Sequence, residues 1–135
     1  MNMAIPSKVK ELFNKQGLVA VGTASPEGVP NVVPILWKKI LDDDTIILID
    51  NFMKTTKENL QRNKNVCISF WDAKTEEAYK IKGTARYHTD GPVYNEGKKF
   101  IQLKKPDRVP KGVVEIKVSQ IFDITPGPNA GKKIS

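Results

Sequence analysis

The sequence is poor in the residue types that most often carry catalysis by side chains. Its 135 residues include one cysteine, one histidine and three arginines. The single Cys67 excludes a disulfide framework within the chain and fits a reducing compartment. The only histidine, His88, has no acidic or nucleophilic partner at a recognisable spacing. We therefore predict no catalytic side chain in this protein.

The sequence also lacks the motifs of several common cofactor and targeting classes. No GxGxxG follows a strand-like segment, and neither a Walker loop nor a zinc-ligand spacing is present. No apolar run approaches the length of a membrane span, and residues 1–12 lack the apolar core of a signal peptide. We therefore expect a cytoplasmic protein that does not act in a membrane.

The composition is that of a folded domain with an excess of positive charge. Hydrophobic residues make up 39% and charged residues 27%, which predicts one globular domain over residues 1–135. The net charge is +7, but its lysines form no stripe longer than pairs such as Lys104–Lys105. A solvated basic surface is the preferred interpretation. An anionic ligand, an acidic redox partner or a nucleic acid would use the same positive field.

The most informative stretch runs from Thr45 to Trp71, where two apolar strands flank a short helix. Thr55 and Glu58 have the spacing of a capping box, so we predict Thr55 as the N-cap, its hydroxyl accepting from the N–H of Glu58. Lys54 lies beside this helix start. Free amides and cations at a helix start suit a phosphate. A capping box by itself, however, indicates only that a helix begins.

The rest of the chain predicts short strands separated by turns. Pro34 interrupts a strand over 29–41 and indicates a sheet edge, a bulge or a gap for a ligand, because proline cannot donate to a sheet ladder. Three aspartates at 42–44 lack calcium-loop spacing and predict a hairpin turn. The other predicted elements are a helix from the N-cap Ser7 to the C-cap Gly17, strands over 18–24, 78–88, 113–118 and 120–124, a helix after residue 91, and an extended tail over 126–135.

Six or seven strands with three short helices indicate an antiparallel barrel, mainly β and α+β by content. Two irregularities are expected within it. Gly83 lies in the middle of an alternating strand and indicates a bulge or a close approach by another group. The alternation of the last strand changes phase at Ser119–Gln120, which predicts a bend or bulge.

In this order, the segments resemble the small FMN-binding split-barrel proteins related to pyridoxamine 5′-phosphate oxidase. The resemblance covers residues 7–127 and is most specific in MKTTKENLQRNKNVCISF (53–70) and KGTARYHTDGP (82–92). It implies a six-stranded antiparallel split β-barrel with short flanking helices. It further implies FMN as the cofactor, and a homodimer with FMN at the interface.

The resemblance also implies roles for particular residues. Lys54 and Thr55 match the phosphate-binding pair, and the segments 33–35 and 50–53 match those along the flavin ring and ribityl chain. Trp71 and the Pro126–Gly127 tail are expected to complete the site of a partner subunit. The implied cofactor-binding residues are Val33, Pro34, Ile35, Asp50, Asn51, Phe52, Met53, Lys54, Thr55, Thr56 and Trp71.

The expected function is that of an FMN-binding flavoprotein in electron transfer, or of a small flavin-dependent oxidoreductase, with a redox partner that the sequence does not identify. It is not expected to oxidise pyridoxamine phosphate, because the oxidase binds its substrate through several arginines and a histidine that the short C-terminus lacks. One alternative is a split-barrel reductase that binds haem or the deazaflavin F420. Another is a basic barrel that binds single-stranded nucleic acid, with Trp37, Tyr79 and Tyr87 near cations.

Overall fold

The computed structural model describes residues 4–134, so the ends of the predicted domain lie outside the described residues. Its elements, in chain order, are α1 (Ser7–Lys15), β1 (Val19–Ala24), β2 (Pro30–Ile35), β3 (Lys38–Asp42), β4 (Thr45–Asp50), α2 (Thr55–Arg62), β5 (Asn65–Trp71), β6 (Ala78–His88), α3 (Gly91–Gln102), β7 (Gly112–Asp123) and β8 (Lys132–Lys133). The longest helix among these residues, α3, has 12 residues, and none is long and apolar enough to cross a bilayer.

The strands form one antiparallel sheet in the order β2-β1-β5-β6-β7-β4-β3, with β8 added to β7. The consecutive strands β2 and β3 lie at its opposite edges and are joined only by Leu36 and Trp37. Successive Cα atoms are about 3.8 Å apart, so this link spans at most roughly 11 Å. The two edges must therefore lie close together, and the sheet is rolled into a split barrel.

The predicted fold class, a mainly β antiparallel barrel, is confirmed. The described residues form eight strands, whereas six or seven were expected. The single strand expected over 29–41 is two strands, because β2 pairs with β1 whereas β3 pairs with β4. Pro34 lies in the edge strand β2, one of the three alternatives that its sequence position left open. The hairpin turn at Asp42–Asp44 is confirmed between β3 and β4.

The core fills the barrel and extends under α3. Alternate residues of the strands point inward, and α1 closes one end with Val9, Leu12 and Phe13. The rings of Phe13 and Phe70 meet edge to face at 5.4 Å. Every residue of β4 is buried, because its alternate residues pack inside the barrel and against α3. Burial on both faces explains why β4 is an unbroken apolar run in the sequence.

The two irregularities predicted in β6 and β7 form one bulge. The pairing register shifts between Lys82 and Gly83, so that Ser119 has no partner on β6. A Cβ atom on Gly83 would lie 2.3 Å from the carbonyl oxygen of Lys117. Only glycine fits that approach, and the bulge bends the longest strand pair around the barrel.

The ends of two other segments differ from the sequence predictions. Helix α1 has Pro6 rather than Ser7 at its N-cap and Gln16 rather than Gly17 at its C-cap. The predicted extended tail turns back on its own chain, where Ile134 donates its N–H to the carbonyl oxygen of Ile121 at 2.7 Å. The short strand β8 pairs with β7, so the chain itself supplies the surface that orders the tail.

Candidate functional site

A groove of about 400 Å³ lies where β2, the link to β3, the end of β4 and the start of α2 meet. Small-molecule sites usually have volumes of about 300–1,000 Å³. The groove is lined by Asn31, Val33, Pro34, Ile35, Leu36, Trp37, Ile49, Asn51, Phe52, Met53, Lys54, Thr55 and Thr56. Nine of the eleven predicted site residues are among these; the other two, Asp50 and Trp71, are not.

Asp50 is fully buried behind the groove and supports the turn that follows β4. One carboxylate oxygen accepts the N–H of Met53 at 2.8 Å, and the other accepts the hydroxyl of Tyr87. Its carbonyl oxygen accepts the N–H of Lys111 at 2.9 Å. Burial is the main cause that raises the pKa of Tyr87, and the hydrogen bond to Asp50 is the second. The phenol therefore stays protonated and continues to donate. Asp50 therefore holds residues 51–53 in place from behind.

Asn51 provides the polar atom that most clearly lacks a partner. Its Oδ1 is buried and accepts no hydrogen bond within the described part of the chain, although the residue lines the groove. A buried acceptor without a donor destabilises the fold by about 1–3 kcal/mol. The position therefore suits a ligand that donates an N–H or O–H group to Asn51.

The start of α2 forms one end of the groove, and its cap differs from the sequence prediction. The N-cap is Lys54 instead of Thr55, and the N–H of Glu58 donates to the Lys54 carbonyl oxygen at 3.0 Å. The predicted bond between Glu58 and the Thr55 hydroxyl is absent because the helix begins one residue earlier. No side chain of residues 4–134 caps this end. The leading amides, with their positive dipole, are thus available to an anion.

A buried network of amides and hydroxyls fixes α2 to the barrel. The Asn31 amide donates to the hydroxyl oxygens of Thr56 at 3.0 Å and Thr23 at 3.3 Å. The Asn59 amide donates to Thr23 at 3.0 Å. Thr56 is 2% exposed, so it anchors the helix as well as lining the groove. The sequence pattern gave no signal for Asn31, since its partners lie 8 and 25 residues away.

The opposite part of the groove is apolar and aromatic. Trp37 lies in the link between β2 and β3 and packs edge-on against Phe100 of α3 at 6.3 Å. Phe52 is 83% exposed, and the Arg108 guanidinium lies 5.7 Å from the centre of its ring. Sequence reasoning missed Trp37, Leu36 and Ile49 as lining residues. They enter the groove only because the barrel edges meet there.

Two residues singled out in the sequence lie outside the groove. Trp71 ends β5 and is 53% exposed on the outer face of the sheet. His88 ends β6, and its Nε2 lies 2.9 Å from a carboxylate oxygen of Glu115. No partner for His88 is recognisable in the sequence, because only the pairing of β6 with β7 brings Glu115 close to it. Neither residue lines the groove.

Comparison with known proteins assigns the family. Residues 5–125 match the family model described as pyridoxamine 5′-phosphate oxidase. The chain belongs to this family. It is 37% identical over 129 residues to an uncharacterised protein of Methanocaldococcus jannaschii, covering 94% of this chain and 85% of that protein. It is also 27% identical over 105 residues to an FMN-binding protein of Nitratidesulfovibrio vulgaris, covering 71% and 84% of the two chains.

A solved structure agrees with the fold described above. The crystal structure of HupZ from Group A Streptococcus superposes with a TM-score of 0.84 and 35% identity. The match covers 94% of this chain and 99% of HupZ. Both the family resemblance and the split-barrel fold expected from the sequence are therefore confirmed.

The pairing of Tyr87 with Asp50 generates a stability prediction. Tyr87→Phe removes the donor to a fully buried carboxylate and should lower the free energy of unfolding by about 1–3 kcal/mol. Tyr79→Phe is the matched control, since Tyr79 donates to Glu77, which is partly exposed and can be hydrated instead. Urea denaturation of both variants measures the difference. Equal losses in the free energy of unfolding would show that the hydrogen bond to Asp50 stabilises the fold no more than the bond to Glu77.

Proposed function

We propose that the groove binds FMN and that the protein acts in electron transfer or as a small flavin-dependent oxidoreductase. The observation that carries this proposal is the joining of an uncapped, cationic helix start and an apolar slot in one groove. FMN has the same division, with a phosphate at one end and a flat ring at the other. The relative from Nitratidesulfovibrio vulgaris, named an FMN-binding protein, supports the choice of cofactor.

At the phosphate end, the proposed ligands are Lys54, Thr55 and the leading amides of α2. Lys54 and Thr55 are both exposed toward the groove, so neither has to leave a buried contact to meet an anion. Charge-assisted hydrogen bonds to phosphate are roughly twice as strong as neutral ones. The network from Asn31 to Thr56 holds the helix start in position before the ligand arrives.

At the ring end, Asn51 is the proposed polar contact. FMN carries a ring N–H and ribityl hydroxyls, and each can donate to the unpaired Oδ1 of Asn51. Val33, Ile35 and Trp37 supply apolar surface on the same side of the groove. The bound flavin supplies the electron or hydride transfer. The chain orients the cofactor and excludes water from one side of it.

Oxidation of pyridoxamine phosphate is not the proposed reaction. None of the three arginines, Arg62, Arg86 and Arg108, lines the groove of its subunit. A haem centre is also disfavoured, because His88 bonds to Glu115 and the groove contains no imidazole. The deazaflavin F420 has a ring system similar to the flavin ring of FMN, so only identification of the bound cofactor distinguishes the two. The single cysteine keeps the cytoplasm as the proposed compartment.

Replacement of Lys54 tests the phosphate assignment. Lys54→Ala should raise the Kd for FMN about 10- to 100-fold, since a hydrogen bond to a charged group contributes about 1.5–3 kcal/mol. Riboflavin has no phosphate, so its affinity should not change. Lys64→Ala, an exposed lysine just beyond α2, is the control. Flavin fluorescence titration of the wild type and of both variants measures the affinities for FMN and riboflavin.

The assignment would be contradicted by unchanged FMN affinity in Lys54→Ala, or by an equal loss of riboflavin affinity. The identity of the cofactor is checked on the purified wild-type protein. Heating should release FMN rather than FAD, F420 or haem. A preparation that reconstitutes with F420 but not with FMN would replace the proposed cofactor.

We also propose that two copies associate through the outer face of β2, β1 and β5. Five of the eight exposed large hydrophobic residues of the described chain lie on or beside this face: Leu18, Val29, Val32, Leu36 and Trp71. Across from Val32 and Pro34, β1 places Gly22 and Ala20, so the face is flat. Apolar patches of this kind commonly mark protein interfaces. Leu36 also lines the groove, so a second copy here would reach its open side.

Val32→Asp tests the proposed dimer. The carboxylate would be buried without a partner, so we expect dissociation to monomers in sedimentation velocity experiments. Leu103→Asp is the control, because Leu103 is 79% exposed on the α3 side of the molecule. A monomeric wild-type protein, or dissociation of both variants, would contradict the proposed interface. Trp71 and Pro126–Gly127 remain the proposed contributions to the partner's groove.

A further inference from the structure

We propose that the C-terminal half of α3 and the loop after it, residues 98–111, form a docking surface for an acidic electron-transfer protein. This inference rests on the proposed function, because the surface adjoins the groove in which FMN is placed. It adds the class of partner that the sequence does not identify. Charge, exposed apolar groups, a preorganised loop and proximity to the groove support it.

The positive charge of the chain is concentrated in this segment. Residues 98–111 contain six Lys or Arg and one Asp, a net charge of +5 in a chain whose net charge is +7. The six cations are Lys98, Lys99, Lys104, Lys105, Arg108 and Lys111. None of them forms a salt bridge within the described residues, whereas Lys117 on the barrel pairs with Asp44 and Glu115. Their field is therefore free to attract an acidic surface.

Exposed apolar side chains lie among these cations. Leu103 is 79% exposed and Val109 is 62% exposed, and both lie within the basic segment. Phe52, at 83%, lies beside Arg108. Protein interfaces combine an apolar centre with a charged rim. A single-stranded nucleic acid would instead need several stacking aromatics, and Phe52 is the one exposed aromatic ring at this surface.

The loop is held in one conformation by three hydrogen bonds, two to α3 and one to the end of β4. The Gln102 amide donates to the Arg108 carbonyl oxygen at 2.9 Å. The Tyr94 hydroxyl donates to the carbonyl oxygen of Pro110 at 2.8 Å. The Lys111 N–H donates to Asp50 at the end of β4. A preorganised loop loses less entropy on binding, so even a small interface can associate.

The surface adjoins the aromatic end of the groove. Arg108 contacts Phe52, and Phe100 of α3 packs on Trp37; both Phe52 and Trp37 line the groove. A protein seated on residues 98–111 would therefore reach the groove opening. Electron-transfer encounters bury little surface and depend on charge to raise the association rate. This combination fits an acidic electron carrier better than a large permanent partner.

NMR on the cofactor-free protein tests the docking surface independently of FMN. The probe is an acidic [2Fe–2S] ferredoxin, whose paramagnetic cluster broadens amide signals near it. We expect broadening of residues 98–111 and of Asn51 and Phe52. Raising the salt from 0.05 to roughly 1 M should abolish it, since the screening length falls to about 3 Å. Broadening centred on the β5–β6 face, or none at low salt, would overturn the proposal.

Charge-neutral variants locate the contact. Lys104→Gln with Lys105→Gln should raise the Kd for ferredoxin about three- to tenfold, the scale of two exposed ion pairs. Lys132→Gln with Lys133→Gln makes the same change in net charge on β8 and should leave the Kd within about twofold. Equal weakening by both pairs would mean that net charge alone attracts the probe, which also overturns the proposal.

A competitor and a flavin titration complete the test. A 20-nucleotide single-stranded RNA should not displace ferredoxin; displacement, with tighter RNA binding at this surface, would assign the surface to nucleic acid instead. The Lys104/Lys105 double variant should keep wild-type FMN affinity, because neither residue lines the groove. In the wild-type protein, failure to bind FMN while ferredoxin still docks would refute the proposed function alone. Failure of ferredoxin to dock on a wild-type protein that binds FMN would refute this inference alone.

Discussion

The short link between β2 and β3 is the constraint on which the structure depends. Two residues join strands that lie at opposite edges of one sheet, so the sheet must roll up until its edges meet. The seam, where the edge strands β2 and β3 meet, brings Trp37 and the end of β2 against the end of β4 and the start of α2. The groove is therefore a consequence of barrel closure, and its walls come from two separate stretches of chain, residues 31–37 and 49–56.

Buried polar groups turn that seam into a shaped site. Asp50 lies behind it and holds the turn that carries Asn51, and the amides of Asn31 and Asn59 fix the start of α2. Each of these groups would be costly if left unpaired, so each holds its element in one position. What remains open is a helix start without a side-chain cap and the unpaired oxygen of Asn51. The barrel is thus rigid around the few groups that are free to bind.

The sequence predicts local features well and tertiary ones poorly. Properties of short segments, namely alternation, turn residues and glycine, predict the mainly β class, the hairpins and the bulge at Gly83. The predicted N-cap, Thr55, was wrong by one residue, because capping-box spacing does not fix which backbone group begins the helix. Asn31 and Trp37 were missed because only the closed seam brings them to the groove. The partner of His88 depends in the same way on strand register.

The central claim is that this groove holds FMN with its phosphate at the start of α2. A crystal structure of the protein grown with FMN tests it most directly. The predicted result places the phosphate within hydrogen-bond distance of Lys54 Nζ and the first amides of α2, with a flavin donor on Asn51 Oδ1. A flavin bound elsewhere on the barrel, or one in the groove with its phosphate turned away from Lys54, would contradict the claim.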